Sequence, residues 1–143
     1  MFDAVTAVSA GQDIIIKAAA VADYTPSTYS GDKLKKKDVK FSVEFSRTKD
    51  ILAYLGEHKT NGQFLCGFSM ETKDLIENSS AKLINKNADM IVANDLTDEG
   101  SGFGTDTNRV TFITKDGVFP QELQSKEDVA GAIFDKVAEM QGR

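Results

Sequence analysis

Three short apolar segments alternate with two helical patterns between residues 13 and 93, and this alternation constrains the fold more than any other feature. The apolar segments lie within 13–20, 64–70 and 90–93, and helical apolar spacing runs over 49–58 and 73–85 between them. Apolar runs without polar alternation are typical of parallel strands that helices cover on both faces. The pattern therefore predicts an α/β fold, a three-layer Rossmann-like open sheet that is mostly parallel.

Helices are also predicted at both ends of the chain. Residues 2–10 have helical apolar spacing and are followed by Gly11, which predicts the end of a helix. Ser125 is a predicted N-cap for a final helix over 125–140. The apolar face of this last helix comprises Val129, Ile133, Phe134 and Val137. That of the helix over 73–85 comprises Leu75, Ile76, Leu83 and Ile84.

Turns and a half-exposed strand fill the remaining segments. Residues 39–45 alternate apolar and polar side chains, which predicts a strand in a β-arm. Asp116-Gly117 lies between two apolar runs and predicts a tight hairpin turn. Ser46 or Thr48 is the predicted cap of the helix over 49–58. Loops are predicted for residues 23–26 and for the acidic, Gly-rich stretch 96–108.

Length and composition limit the class of protein. At 143 residues the chain is expected to form one domain, 1–143, and it has no apolar run near the roughly 20 residues of a membrane helix. With no basic and apolar leader at its start, a cytoplasmic location is expected. One cysteine, Cys66, and one histidine, His58, provide no internal disulfide and no zinc cluster, so no metal-ligating residues are predicted. Both are expected to be structural residues.

Positive charge is concentrated in one segment of an acidic chain. The net charge is -5, whereas KLKKKDVK at 33–40 has five lysines and one aspartate, about +4, which leaves about -9 elsewhere. An acidic body argues against nucleic-acid binding, which needs a basic field over a whole face. A local basic strip suits a compact anion such as a di- or triphosphate. The same strip is also compatible with a solvated hairpin that protects an edge strand from aggregation.

Ligands of open α/β sheets lie beyond the carboxyl ends of the strands, and this rule selects candidate residues. The residues that follow the three predicted strands are Ala18, Ala19 and Asp23, then Phe68 and Glu71, then Asn94 and Asp95. We expect them to converge at one edge of the sheet.

Missing motifs narrow the chemistry further. The chain has no GxxxxGK[ST] loop, no GxGxxG fingerprint and no G-x-S-x-G elbow, and GSGFG at 100–104 precedes no helix, so it is interpreted as a flexible loop. Anion binding is instead suggested by the lysine strip, by the helix start at Lys49, and by Lys82 and Lys86 at i, i+4 spacing. Each is also typical of an exposed lysine group, so the hypothesis requires that they converge.

Four motifs together resemble a known family. AAAVADY at 18–24, KLKK at 33–36, GFSMET at 67–72 and ADMIVANDL at 88–96 occur in this order and spacing in phosphopantothenoylcysteine synthetase. This is the phosphopantothenate-cysteine ligase of coenzyme A biosynthesis, which bacteria often fuse to a flavin-dependent decarboxylase. The resemblance runs from Phe2 into the last helix.

The resemblance implies a two-step ligation that requires positioning and charge neutralisation more than a nucleophilic side chain. CTP, accompanied by Mg²⁺, would activate the carboxylate of 4'-phosphopantothenate as an acyl-cytidylate and release pyrophosphate. The amine of cysteine would then displace CMP. Lys33 would be the catalytic contact to the nucleotide. The other nucleotide-binding residues that the resemblance implies are Lys17, Ala18, Ala19, Asp23, Lys49, Asp50, Ile51, Leu52, Phe68, Lys82 and Lys86.

The resemblance also has departures. Many relatives have Asn-Pro-Asp-Ile where this chain has Thr48 to Ile51, and family members begin the domain with a strand and a Gly/Ser-rich turn that carries a functional asparagine. We therefore expect an N-terminally truncated ligase domain with an exposed sheet edge, and a homodimer through the 39–45 arm. Three hypotheses stay open: the ligase, a nucleotide- or phosphate-binding module without turnover, and a structural interaction domain. The sequence does not distinguish CTP from ATP.

Overall fold

A computed structural model describes residues 1–32, 42–95, 97, 101 and 104–142. Its helices are α1 (Phe2–Ser9), α2 (Ile51–Glu57), α3 (Leu75–Asn85) and α4 (Lys126–Met140). Its strands are β1 (Ile14–Lys17), β2 (Tyr24–Pro26), β3 (Phe45–Arg47), β4 (Phe64–Glu71), β5 (Met90–Asp95), β6 (Thr107–Asn108), β7 (Val110–Thr114), β8 (Gly117–Pro120) and β9 (Gln124–Ser125). Within these described ranges, no helix is long and apolar enough to cross a membrane.

The central sheet has five strands in the order β1-β4-β5-β7-β8. β1 pairs parallel with β4, which pairs parallel with β5, whereas β7 runs antiparallel to both β5 and β8. Four of the five strands therefore share one direction. The predicted mostly parallel α/β sheet is confirmed, and it ends in an antiparallel hairpin.

Helices cover both faces of this sheet and form two cores. On one face Leu52 and Leu55 of α2 and Leu83 of α3 pack with Leu65 and Ile91, with α1 against the same cluster through Phe2 and Val5. On the other face the buried α4 residues pack on the opposite side chains of the strands. These α4 residues are Val129, Ile133 and Val137. The three-layer prediction is confirmed, and the alternation of strand side chains explains why both faces are apolar.

The predicted apolar faces of α3 and α4 include more residues than the structure buries. On α3 the inward positions are Leu75, Ser79 and Leu83, at i, i+4 spacing, whereas Ile76 and Ile84 are exposed. On α4 Phe134 is 59% exposed, although its neighbour Ile133 is buried. Successive helical residues differ by about 100° around the axis, so only a narrow stripe reaches the sheet. The predicted core roles of Ile76, Ile84 and Phe134 were wrong.

The start of α2 differs from the prediction. α2 begins at Ile51, and its N-cap is Asp50, whose carboxylate accepts a hydrogen bond from the Ala53 amide at 2.9 Å. Thr48 instead donates its hydroxyl to the Ala22 carbonyl at 2.7 Å, and its amide donates to the Asp23 carbonyl. Neither Ser46 nor Thr48 is the cap, because β3 holds this segment beside the 22–26 segment. By contrast, Ser125 caps α4 as predicted.

Several strand boundaries also differ from the predictions. β1 ends at Lys17 rather than Ala20, and its residues are only half-buried, since β4 is its one partner among the described residues. Residues 24–26, predicted as a loop, form β2 and pair with β3, and over the described residues from 42 onward the arm strand is 45–47 rather than 42–45. Residues 39–41 lie outside the described part.

The two residues between β7 and β8 are Lys115 and Asp116. Gly117 has φ 153° and is the first residue of β8 rather than the second residue of the turn. The hairpin itself is confirmed, one residue from its predicted turn. Part of the predicted 96–108 loop is a short strand, because Thr107 and Asn108 pair with β9.

Candidate functional site

A cleft of about 680 Å³ opens at the carboxyl ends of β1, β4 and β5. The segment after β1 forms one wall, and the start of α2 with the last turn of α3 forms a second. α4 closes the cleft from the other face of the sheet. This is the place where open α/β sheets bind ligands, because the ends of parallel strands meet there.

The structure brings most of the proposed nucleotide-binding residues to this cleft. Ten of them line it: Lys17, Ala18, Ala19, Asp23, Lys49, Asp50, Ile51, Phe68, Lys82 and Lys86. They come from four segments that are far apart in the sequence. Their convergence was the condition for treating them as a site, and their role in binding a nucleotide stays a prediction.

Three of the predicted residues that the structure describes do not line the cleft. Leu52 is 4% exposed and belongs to the core between α2 and the sheet, because it lies one position further around the helix than Ile51. Glu71 and Asp95 are opposite each other in the β4–β5 register, whereas their neighbours Met70 and Asn94 line the cleft. Side chains alternate along a strand, so Glu71 and Asp95 lie on the other face. Lys33 and the strip 33–40 lie outside the described residues.

Each of three cleft lysines is held by an acceptor of the protein itself. The Nζ of Lys17 donates to the Ala19 carbonyl at 3.0 Å, and the Nζ of Lys82 donates to the Phe68 carbonyl at 3.0 Å. Lys86 forms an ion pair with Asp50 at 2.9 Å. Because an ammonium group has three N–H donors, each of these contacts positions the lysine and leaves donors for a further acceptor.

The cleft is electropositive although the chain is acidic. Its described lining has five lysines and two aspartates, a local charge of +3, against -5 for the whole chain. Burial lowers the pKa of Lys82, and repulsion from Lys17 and Lys86 adds to this effect, while Glu71 and Asp50 oppose it. A lysine beside like charges favours an anion, because the anion removes the repulsion. The arrangement fits a polyphosphate or another compact anion.

The start of α2 contributes to the cleft through side chains. The Asp50 carboxylate occupies the helix N-terminus, where burial opposes its ionisation, but hydrogen bonds from Ala53 and Lys86 prevail and lower its pKa. Lys49 lies with its Nζ 4.6 Å from the centre of the Phe2 ring. At the helix start where a phosphate site was predicted, the structure thus has the carboxylate of Asp50, paired with Lys86, and next to it Lys49 in contact with the Phe2 ring.

Two buried asparagines and the start of α4 also line the cleft, and of these residues sequence reasoning included only Asn94. Asn94 and Asn108 line the cleft and are 9% and 7% exposed. The cleft residues of α4 are Lys126, Val129, Ala130 and Ile133. The strand-end rule already pointed to the position of Asn94. No sequence signal indicates which face of the sheet α4 covers, so its contribution could not be predicted.

Cys66 and His58 lie outside the cleft lining. Cys66 is fully buried in β4, and burial, together with Asp89, raises the pKa of its thiol to about 12. His58 ends α2, where its Nδ1 lies 2.9 Å from the Tyr54 carbonyl and its ring stacks on Tyr54. Both side chains therefore have structural roles. Over the described parts of the chain, no group of three or more histidine, cysteine or acidic side chains is placed to hold a metal ion.

A family model provides the decisive comparison. The model described as DFP, the DNA/pantothenate metabolism flavoprotein C-terminal domain, matches residues 1–140. The chain belongs to this family. The resemblance indicated by the four sequence motifs is therefore confirmed at the level of the family.

Individual relatives of this DFP-family chain agree with the assignment. The coenzyme A biosynthesis bifunctional protein CoaBC of Bacillus subtilis (strain 168) is 48% identical over 140 residues, which cover 96% of this chain and 34% of that protein. A protein named cysteine/cysteine sulfinic acid decarboxylase, from an unknown prokaryotic organism, is 48% identical over 126 residues, 87% of this chain and 35% of that protein. The chain thus spans about a third of the length of these relatives.

A solved structure supports the fold as well as the family. The crystal structure of the C-terminal domain of a coenzyme A biosynthesis bifunctional protein CoaBC matches with a TM-score of 0.76 at 38% identity. The match covers 97% of this chain and 60% of that one. The layered α/β sheet of the DFP-family chain is therefore the fold of that domain.

Proposed function

We propose that the cleft binds CTP and that the chain carries out the phosphopantothenate-cysteine ligase reaction of coenzyme A biosynthesis. The observation that carries this proposal is the convergence of Lys17, Lys82 and Lys86 on one cleft at the strand ends, inside an acidic molecule. Family membership supplies the pathway, and the relative from Bacillus subtilis is named for coenzyme A biosynthesis.

The proposed reaction has two balanced steps. A carboxylate oxygen of 4'-phosphopantothenate forms a bond to the α-phosphorus of CTP, and the bond to the β-phosphate oxygen breaks, so pyrophosphate leaves with the electron pair. The amine nitrogen of cysteine then bonds to the acyl carbon, and CMP leaves with the electron pair of the broken C–O bond. In both steps negative charge develops on the phosphate oxygens of the leaving group, and positioned ammonium groups stabilise this charge.

The cleft residues have defined tasks in this reaction. Lys17, Lys82 and Lys86 neutralise phosphate oxygens from fixed positions, because each is already anchored by one protein acceptor. Phosphates compete with Asp50 for Lys86, so binding draws this ammonium from its ion pair toward the nucleotide. Lys33 stays part of the proposal as the catalytic contact to the nucleotide.

Magnesium is proposed only as a companion of the nucleotide. Among the described lining residues the carboxylates are Asp23 and Asp50, and Asp50 is already paired with Lys86. This donor set does not fit a resident Mg²⁺ site, which would need more oxygen ligands from the protein. Mg²⁺ commonly binds through substrate phosphates, so we propose that it arrives with CTP, and no step is derived through it.

Calorimetric titration with CTP and Mg²⁺ tests the binding part of the proposal. We expect saturable heat for the unaltered chain and at least a tenfold loss of affinity for Lys82→Gln and Lys86→Gln. Lys115→Gln is the matched control, because it removes the same charge from the exposed β7–β8 turn. Equal affinities for the control and both cleft variants would show that the cleft does not bind the nucleotide.

Pyrophosphate release separates the ligase from a module that only binds. With CTP and 4'-phosphopantothenate but no cysteine, the ligase should release pyrophosphate and form an acyl-cytidylate. Saturable CTP binding without pyrophosphate would assign the chain to the second class, and no binding at all would leave only a structural role.

The homodimer is proposed through the 39–45 arm, whose described residues run from 42 to Phe45, the first residue of β3. Tyr24, Val43 and Phe45 are 53%, 44% and 60% exposed, and they lie in or next to the two-stranded sheet of β2 and β3, which is separate from the central sheet. Burial in a partner would remove this surface from water. If Val43→Lys leaves a dimer unchanged in analytical ultracentrifugation, the arm is not the interface.

A further inference from the structure

Two asparagine side chains in the cleft carry buried oxygen atoms without hydrogen-bond donors. Asn94 in β5 and Asn108 in β6 are both more than nine-tenths buried and both line the cleft. Neither Oδ1 accepts a hydrogen bond from any residue that the structure describes. Buried carboxamide oxygens are almost always paired, because an unpaired one loses its hydrogen bonds to water without replacement. Two of them lining one cleft therefore indicate a ligand with N–H or O–H donors.

The two asparagines lie on the α4 side of the cleft. Asn94 is opposite Val110 in the β5–β7 register, and Val110 packs in the core beneath α4. Asn108 lies in β6, which pairs with β9 immediately before α4 and contacts that helix. The lysines of α3 approach the cleft from the opposite face. The cleft thus has the α3 lysines on one side, and on the other side two uncharged carboxamide acceptors near Lys126 of α4.

We propose that Asn94 and Asn108 bind the amine of the second substrate, an α-amino acid. This inference rests on the proposed ligase function and assigns the nucleophile to a part of the cleft separate from the phosphate-binding lysines. A primary amine has several N–H donors and matches two acceptor oxygens that lack donors. Lys126 brings positive charge to the same side of the cleft, where it attracts the carboxylate of an amino acid.

Neutral acceptors suit an amine that must act as a nucleophile. A carboxylate in their place would raise the pKa of the amine and keep it protonated, whereas carboxamide oxygens orient it without adding charge. The positive charge of the surrounding lysines lowers the pKa of the amine. In the second step the ammonium loses one proton to water before its nitrogen bonds to the acyl carbon, and a second to the departing CMP phosphate afterwards. The asparagines accept hydrogen bonds and take no proton.

Val129, Ala130 and Ile133 of α4 form the apolar wall of this side. A short side chain such as the thiol of cysteine can pack there, whereas a charged side chain would lose its hydration. The inference therefore names a small, uncharged α-amino acid as the amine substrate.

Kinetics of the two steps test the inference with Asn94→Ala and Asn108→Ala. We expect the KM for cysteine to rise at least tenfold in each, while pyrophosphate release without cysteine and the affinity for CTP change less than twofold. Asn85→Ala, at the exposed end of α3, is the matched control and should leave all three quantities unchanged. Melting temperatures identify any variant that fails to fold.

A test without variants uses the amine itself. 3-Mercaptopropionate differs from cysteine only in lacking the amine, and we expect its inhibition constant against cysteine to exceed the KM for cysteine at least tenfold. An inhibition constant close to that KM, or an unchanged KM for cysteine in both variants, would overturn the inference. A loss of CTP affinity equal to the loss for cysteine would also overturn it, since the asparagines would then contact the nucleotide base. If the unaltered chain releases no pyrophosphate, the ligase proposal itself fails, and this inference fails with it.

Discussion

Replacing Gly56 by alanine should destabilise the protein, although helix propensity predicts the opposite. Gly56 lies in α2, where alanine is normally favoured over glycine by up to about 1 kcal/mol. A Cβ at this position would lie 1.8 Å from the carbonyl oxygen of Lys86 and 2.8 Å from its carbonyl carbon. Backbone cannot rotate away as a side chain can, so α2 and the end of α3 must separate.

The expected size of this effect follows from three contributions. Overpacking costs about 1–3 kcal/mol. Separation also weakens the hydrogen bond from the Asn87 side chain to the Gly56 carbonyl, 2.8 Å long, worth about 1 kcal/mol. The propensity gain offsets about 1 kcal/mol. We expect a net loss of about 2 kcal/mol, which lowers the melting temperature of a domain of this size by roughly 6–8 °C.

Thermal unfolding followed by circular dichroism measures this change, with Gly131→Ala as the matched control. Gly131 lies in α4, and a Cβ there would meet no atom within 4 Å outside its own stretch of helix, so alanine should raise the melting temperature. The clash is with the backbone of Lys86, whose ammonium group lines the cleft. Gly56→Ala should therefore also weaken CTP binding. A melting temperature that rises in both variants would refute the packing argument.

Three further predictions follow from titrating or reactive groups. Since burial and neighbouring lysines lower the pKa of Lys82, affinity for CTP should fall as the pH rises through this lowered value. Lys82→Arg should move that fall to higher pH in calorimetry between pH 7 and about 9.5, and superimposable profiles would contradict the role of Lys82. Burial opposes ionisation of Asp50, but its hydrogen bonds prevail and lower its pKa below 3.8. The ionised Asp50 side chain therefore stabilises the folded protein above that pH, and this stabilisation is lost as the pH falls through the folded-state pKa. In denaturant titrations, the difference in free energy of unfolding between the unaltered chain and Asp50→Asn should therefore shrink below about pH 4, and a pH-independent difference would speak against it. The buried thiol of Cys66, with its pKa raised to about 12, should not react with Ellman's reagent in the folded protein at pH 8 and should react fully in guanidinium chloride. Stoichiometric labelling of the native chain would disprove its burial.

Local patterns in the sequence were sufficient to predict most elements of the fold. The apolar runs that became β4 and β5, the helices between them and the Ser125 cap depend on neighbouring residues, so short windows contain the information. Pairing partners are not local. The strand formed by residues 24–26 exists because β3 lies beside it, and nothing within that segment alone indicates the pairing.

The candidate site follows the same division. The order of residues was enough to locate Lys17, Phe68 and Asn94 at strand ends and to put Lys82 and Lys86 on one helix face, because periodicity fixes which residues lie near each other along an element. The packing of the layers was needed to establish that Asn94 rather than Asp95 faces the cleft. Which alternate side chains of β5 face the cleft depends on the helix layer that packs on the strand. That helix, α4, follows β5 by some thirty residues along the chain. The lysines of one face and the carboxamides of the other meet only because helices cover the sheet from both sides.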